Sequence, residues 1–287
     1  MDYVIAMFEQ RPYVVALVLT FLIVAPAERG FLRAGIWLVT GTLVGWAVEA
    51  SSIRTGFPFG MYVYHNAEFA DEMSFAGIPL FASLSFAALS YFGCSLAYTL
   101  LSPLKWNKFR IERFEDNALL TSGKLLIVAA FIITWIDLVI DPITHLGKYW
   151  WLGQIYHYEP EGMHFGVPLT NYLGWLFTAF VIVAINQHSD RILLNRKMQF
   201  KGAYSLPLLP LWGFFCHGGN YIFMLVVLIG LMNNSAVPIE TPLTQIMGSL
   251  LFFSGIFFAF CIVMLRRGLR MGSNILVAAN DSYCYTS

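Results

Sequence analysis

Seven runs of apolar residues, each close to the length of a bilayer-spanning helix, leave this chain few choices of fold. A spanning helix needs roughly 17–25 mainly apolar residues. The runs lie near Pro12–Ala27, Ala34–Ser52, Ala76–Leu101, Ser122–Ile140, Val167–Asn186, Tyr204–Met232 and Pro242–Leu265. Composition agrees, with 58% hydrophobic and only 12% charged residues, against about 25% charged in a soluble domain. No water-soluble core hides that much apolar surface. The expected fold is all-α, a polytopic membrane helix bundle of about seven transmembrane helices. Residues 1–270 read as one transmembrane domain and 271–287 as a mobile C-terminal tail.

The basic residues predict an orientation. Alternate segments between spans hold fourteen of the seventeen Lys and Arg residues, from Arg29 and Arg33 through Lys105, Lys108 and Arg113 to Arg270. The other segments hold only Arg11, Arg54 and Lys148. Positive loops stay in the cytoplasm, so the N-terminus is expected outside and the C-terminus inside, in a bacterial cytoplasmic membrane. Asp2 and Glu9 precede the first run, where a cleavable leader would carry positive charge, so that run reads as a span. The cysteines show no paired spacing, which suits buried thiols used as apolar filler.

A weak internal repeat runs through the chain. The pairs Pro79-Leu80, Pro168-Leu169 and Pro242-Leu243 each open an odd-numbered span, and proline is favoured in the first turn of a helix. The preceding even spans each carry polar groups: Glu49, then Asp137, then His217 and Asn220. The pattern predicts a threefold parallel helix-hairpin repeat around one cavity, or simply three unrelated proline-initiated helices.

Three carboxylates stand out. Glu49 ends one apolar run, and Asp137 and Asp141 close another in the string WIDLVIDP. A charge at membrane depth is costly and marks a functional site by default, and a spacing of four puts both aspartates on one helix face. Helix-end structure is the plainer explanation, since each lies within about one turn of the interface and Asp141 precedes Pro142. The DxxxD spacing also suggests a Mg²⁺–diphosphate site, but the basic phosphate ligands such a site needs are missing. Four histidines on the same side (His65, His145, His157 and His164) lack metal-ligand spacing, so no metal is expected. Two long loops beside the acids are rich in aromatic residues and glycine, TGFPFGMYVYH and HLGKYWWLGQIYHYEPEGMHF. They should fold as lids. Trp150 and Trp151 either belong to an interfacial aromatic belt or wall a long apolar substrate. His217, in HGGNY, makes either an interhelical hydrogen bond or a substrate contact.

Together these strings resemble the membrane carotenoid-biosynthesis family that includes the CruF-type carotenoid 1',2'-hydratases. The resemblance rests on Glu49 followed by Thr55, Gly56, Pro58, Phe59, Gly60, Tyr62 and Tyr64. It continues with Asp137, Asp141, Pro142, Trp151, Gly166, Val167, Pro168, Leu169, Asn171, Gly174 and Trp175. Ser52 and Phe165 depart from the pattern where glycine and tyrosine are expected, and the segment Glu159–Met163 looks idiosyncratic. The resemblance implies addition of water across the terminal double bond of a linear carotenoid of the lycopene or γ-carotene type. It assigns no catalytic roles.

The roles follow from the chemistry. An isolated trisubstituted alkene is a weak base, so its protonation needs a strong acid held dry. Asp137 is the expected general acid, because it lies deeper than Asp141. Glu49 or Asp141 is the expected base that takes a proton from the attacking water. The tertiary cation needs electron-rich walls, about 0.5–2 kcal/mol from each aromatic face. Thr55, Phe59, Tyr62, Tyr64, Trp150, Trp151 and Trp175 are the expected substrate contacts, with Thr170 and Asn171 positioning water and His217 and Asn220 deeper in the membrane. No cofactor is expected, since no nucleotide or flavin signature appears, and membrane lipid rather than nucleic acid is the expected environment. A lycopene-type cyclase would start with the same protonation. A transporter would need a continuous polar path, and the inner halves of the spans read as apolar.

Overall fold

A computed structural model describes residues 9–107 and 110–284, the side chains of 278–284 excepted. Asp2, Lys108 and positions 285–287 of the expected tail lie outside the described residues. Among those described, seven helices are long and apolar enough to cross a membrane. They are α1 (Pro12–Arg29), α2 (Phe31–Thr55), α3 (Leu80–Leu101), α4 (Gly123–Thr144), α5 (Leu169–Asn195), α6 (Trp212–Met232) and α7 (Leu243–Cys284). The chain is an all-α integral membrane bundle, as its sequence predicts.

Local chemistry sets the ends of these helices. Pro12 occupies the first turn of α1, where a missing N–H costs nothing. Gly30, at φ 79°, turns the chain directly from α1 into α2. Gly56 caps α2 in the left-handed conformation, its N–H donating to Ser52 O at 2.8 Å. The hydroxyl of Ser122 accepts from Leu125 N at 3.1 Å and starts α4. Each Pro-Leu pair does begin a helix at its leucine. The three copies are not equivalent in packing, however. α3 is buried along nearly its whole length, whereas α5 and α7 expose broad apolar faces, so the packing does not establish a threefold repeat.

Three boundaries differ widely from the hydropathy reading. α5 continues nine residues past Asn186, because its polar end faces protein rather than water or lipid. Gln187 donates to Leu120 O and Ser122 O, both at 3.0 Å, and Asp190 pairs with Arg29 and Arg33. α6 begins only at Trp212, after a stretch containing Pro207 and Pro210. The segment after Arg270 continues α7 as helix to Cys284. Gly268 and Gly272 let that helix lie against the hairpin of strands Leu104–Asn107 and Arg110–Arg113, close to Ser102 and Leu104.

α3 is the hub and touches every other long helix. Small residues permit this. A Cβ on Gly93 would fall 2.3 Å from Ile133, and one on Gly41 would fall 2.6 Å from Ala87. At the end carrying the basic loops, the bundle buries a polar network that the sequence reading did not anticipate. Arg113 pairs with Glu28 at 2.8 Å, Tyr91 and Ser95 also donate to Glu28, and Arg29 and Arg33 share Asp190. Glu28, Arg29, Arg33 and Asp190 flank apolar runs, so hydropathy alone assigns them to loops.

Candidate active site

At the opposite end the two aromatic loops fold over the bundle and tie to each other. β1 (Tyr62–Tyr64) pairs antiparallel with β2 (Tyr156–Tyr158) in the register Tyr62↔Tyr158, Val63↔His157 and Tyr64↔Tyr156. Side chains alternate across a strand, so four tyrosines share one face. Their rings pack edge to face, with centroids 5.3–6.3 Å apart. Buried Arg11 anchors the lids to α1. It binds Glu72 at 2.7 Å and donates to the carbonyls of Leu152 at 2.7 Å and Glu68 at 3.3 Å. Thr170 donates to Phe59 O at 3.2 Å. Gly174 gives Phe59 room, since a Cβ there would lie 2.5 Å from the ring.

Beneath the tyrosines lies a cavity of about 180 Å³. Asp137 and Asp141 project into it from one face of α4, and both are buried. Asn171, one turn into α5, bridges them. Its amide donates to Asp137 Oδ2 at 2.6 Å and to Asp141 Oδ2 at 2.9 Å. Asp141 also accepts from Tyr156 at 2.5 Å, Tyr158 at 2.8 Å and Thr144 at 3.3 Å. Asp137 has only the Asn171 bond among the described residues. Glu49 lines the same cavity from α2 and accepts from Tyr64 at 2.7 Å. The structure thus gathers three carboxyl groups from two helices around one space.

The four phenols remain donors. Burial holds each well above the ordinary tyrosine range, reinforced by Glu49 beside Tyr62 and Tyr64 and by Asp141 beside Tyr156 and Tyr158. His145, following α4, is pushed below the usual histidine range by burial, and Asp141 opposes that shift. Apolar side chains form the rest of the wall, including Val14, Phe81, Phe86, Leu89, Ile136 and Met224. Phe86 stacks on Trp175 at 4.6 Å. Such a chamber can deliver a proton, surround a cation with ring faces and accept a proton from water.

Of the residues singled out from the sequence, Glu49, Asp137, Asp141 and Asn171 line the cavity. So do Phe59, Tyr62, Tyr64, Trp150, Trp175 and Asn220. Four lie elsewhere. Thr55 is exposed at the end of α2 and bonds to Ser51 O. Trp151 is half exposed and packs edge-on to Tyr13 and Trp150. Thr170 holds the Phe59 backbone from outside the cavity. His217 is buried behind the wall, bonded to Gly213 O and stacked on Phe257. The sequence reading missed Tyr156, Tyr158 and Thr144. The matching alternations YVY and YHY were the available signal, but nothing local says that the two strands pair.

The model of the family described as carotenoid biosynthesis protein matches residues 11–236. The bisanhydrobacterioruberin hydratase of Haloarcula japonica is 31% identical over 172 residues, which cover 58% of this chain and 50% of that protein. The chain therefore spans about half the length of this curated relative. No solved structure matches the chain.

Proposed function

The chain belongs to the carotenoid biosynthesis protein family, and we propose that it is a carotenoid hydratase. In this reading it adds water across the terminal 1',2' double bond of a linear carotenoid of the lycopene or γ-carotene type. The observation that carries the reading is the carboxyl pair bridged by Asn171 under a roof of tyrosines. The hydratase name of the similar archaeal protein agrees with it.

Asp137 is the general acid. Bonds from Asn171, Tyr156, Tyr158 and Thr144 occupy both oxygens of Asp141, whereas Asp137 keeps an oxygen that Asn171 does not engage and that is free to carry a proton to the substrate. Asp137 gives its proton to the less substituted alkene carbon, and the π electrons form the new C–H bond. The tertiary cation left behind faces the tyrosine rings and Trp175. Water attacks the cation and forms the C–O bond, and Glu49 or Asp141 takes the surplus proton. That proton resets Asp137, so the net change is alkene plus water to tertiary alcohol. Tyr64 holds Glu49 in place for this step.

A cyclase would need the same acid and also a base to take a proton from the cyclised cation, so the carboxyl pair suits both, and the hydratase name of the similar archaeal protein favours hydration. A transporter would need a polar path through the bundle. The polar network at the basic end is internally paired, and Leu89, Phe92, Ile132 and Ile133 contribute apolar packing between it and the cavity. The basic asymmetry supports an N-terminus outside and a C-terminus in the cytoplasm, with the site in the outer leaflet of a bacterial cytoplasmic membrane. The test is co-expression with a pathway that makes lycopene or γ-carotene, followed by mass analysis of the pigments. A gain of one water is expected. An isomer of unchanged mass would replace hydration by cyclisation.

A further inference from the structure

The cavity's volume of about 180 Å³ is below the roughly 300–1,000 Å³ of sites that enclose a whole ligand. A linear carotenoid must therefore leave most of its length outside, and some part of the wall must let it pass. The wall can be followed helix by helix. α1 packs on α2, α2 on α5, α5 on α4, and α4 on α6. The lids cover one end. α1 and α6 both lean on α3 but make little direct contact with each other. Their bridge is aromatic and lies beside the lids. Tyr13 of α1 stacks on Phe223 of α6 at 5.7 Å, and Trp151 packs against both. Beyond this latch the cavity reaches Leu17 of α1, Leu89 of α3, and Asn220 and Met224 of α6. Leu22 on α1 and Ile222 and Val226 on α6 are exposed apolar residues suited to acyl chains.

We infer that the seam between α1 and α6 is the groove that binds the polyene arm of the substrate and delivers its end to the acids; this rests on the carotenoid reading above. The groove is continuous with the acid cavity. Its floor on α3 is mostly apolar, formed by Phe81, Ala82, Phe86 and Leu89, as a conjugated hydrocarbon requires. Any other exit would cross a packed helix pair or the paired lids. Ser85 and Asn220 are polar exceptions, and each is already paired: Ser85 donates to Ala82 O at 2.6 Å and the Asn220 amide to Cys216 O at 2.8 Å. The arm thus lies in the hydrocarbon core, whose thickness of about 30 Å accommodates a long linear polyene.

Reversible blockage tests this. Leu17→Cys and Met224→Cys are treated with a benzyl methanethiosulfonate, which adds a bulky group that a reductant removes. The wild type, with Cys94 and Cys261 buried and Cys216 half-buried, receives the same treatment as control. Two quantities are read: carotenoid retained through purification, and water addition to the full-length carotenoid against a short acyclic terpene with the same end group. Labelling should abolish retention and lower full-length turnover about tenfold more than short-substrate turnover, and reductant should restore both. Unchanged retention and full-length turnover, or an equal loss on both substrates, would overturn the groove. If the wild type hydrates neither substrate but retains carotenoid, the hydratase reading fails while retention still decides the groove.

Discussion

Asp137→Asn and Asp141→Asn should separate chemistry from structure at a pair of carboxyls one helical turn apart. At position 137 the carboxyl accepts a single bond, from Asn171. An asparagine there can turn its carbonyl oxygen to the same donor and keep the packing. What disappears is the proton. General acid catalysis contributes about 10²–10⁴-fold, which is about 2.7–5.5 kcal/mol of barrier at 1.36 kcal/mol per decade. At position 141 both oxygens accept: Oδ1 from Tyr156 and Thr144, Oδ2 from Tyr158 and Asn171. Whichever side an amide NH₂ takes, it confronts two donors. Two lost buried bonds at about 1–3 kcal/mol each give about 2–6 kcal/mol of destabilisation. Rotation of the hydroxyls to accept from the amide places the expected value in the lower half of that range.

The assay measures thermal unfolding in detergent and product mass per folded molecule. Asp137→Asn should melt like the wild type, retain carotenoid and form no hydrated product. Asp141→Asn should melt lower and lose folded yield. Full turnover per folded molecule in Asp137→Asn would remove Asp137 from the mechanism and transfer the acid role to Glu49. Equal melting of the two variants would refute the donor argument for Asp141.

Tyr64→Phe removes the 2.7 Å bond to Glu49; if Glu49 is the base, kcat should fall about ten- to a hundredfold, the worth of one bond to a charged group, with carotenoid retention unchanged. Arg11→Met strands buried Glu72 and should cost about 3–5 kcal/mol in a thermal melt, most of it recovered when Glu72→Met is added. Burial holds His164 below the usual histidine range, so the unfolded chain takes up its proton first as pH falls. That contribution to stability is present above about pH 6.5 and lost as pH drops towards and through the folded value, so His164→Gln should flatten that part of a melt-versus-pH curve. Gly174→Ala drives a methyl to within 2.5 Å of Phe59 and should destabilise by about 1–3 kcal/mol, with protease sensitivity appearing first in the lid residues 56–64.

The helices were legible because bilayer length and hydropathy are local properties of sequence. All seven expected spans correspond to helices, and the errors fall where hydropathy and helix part company. Gln187 and Asp190 look like a loop because they are polar, but they are buried against partners from distant segments. Glu28 and Arg29 look like an interface, and they are the buried half of a network closed by Arg113 and Asp190. A polar residue at a helix end carries no mark of its partner. Hydropathy therefore reads such a residue as the end of a span, whatever the tertiary contacts make of it.

The site divides along the same line. Its acids sit on helices, where a spacing of four is enough to place Asp137 and Asp141 together, and where a carboxylate in an apolar run is conspicuous. Two of the four donors that fix Asp141 sit on a strand whose partner strand lies in a different loop. Reading Tyr156 and Tyr158 as site residues requires knowing that YHY pairs with YVY, and that pairing depends on the two loops closing over one bundle end. It also depends on Arg11 joining α1 to both loops. The consequence is functional as well as predictive. Asp137 is placed by a rigid helix, whereas two of the four groups that hold Asp141 as an acceptor come from the lids. The lids thus complete the acceptor site through Tyr156 and Tyr158, while the polyene reaches that site through the seam between α1 and α6.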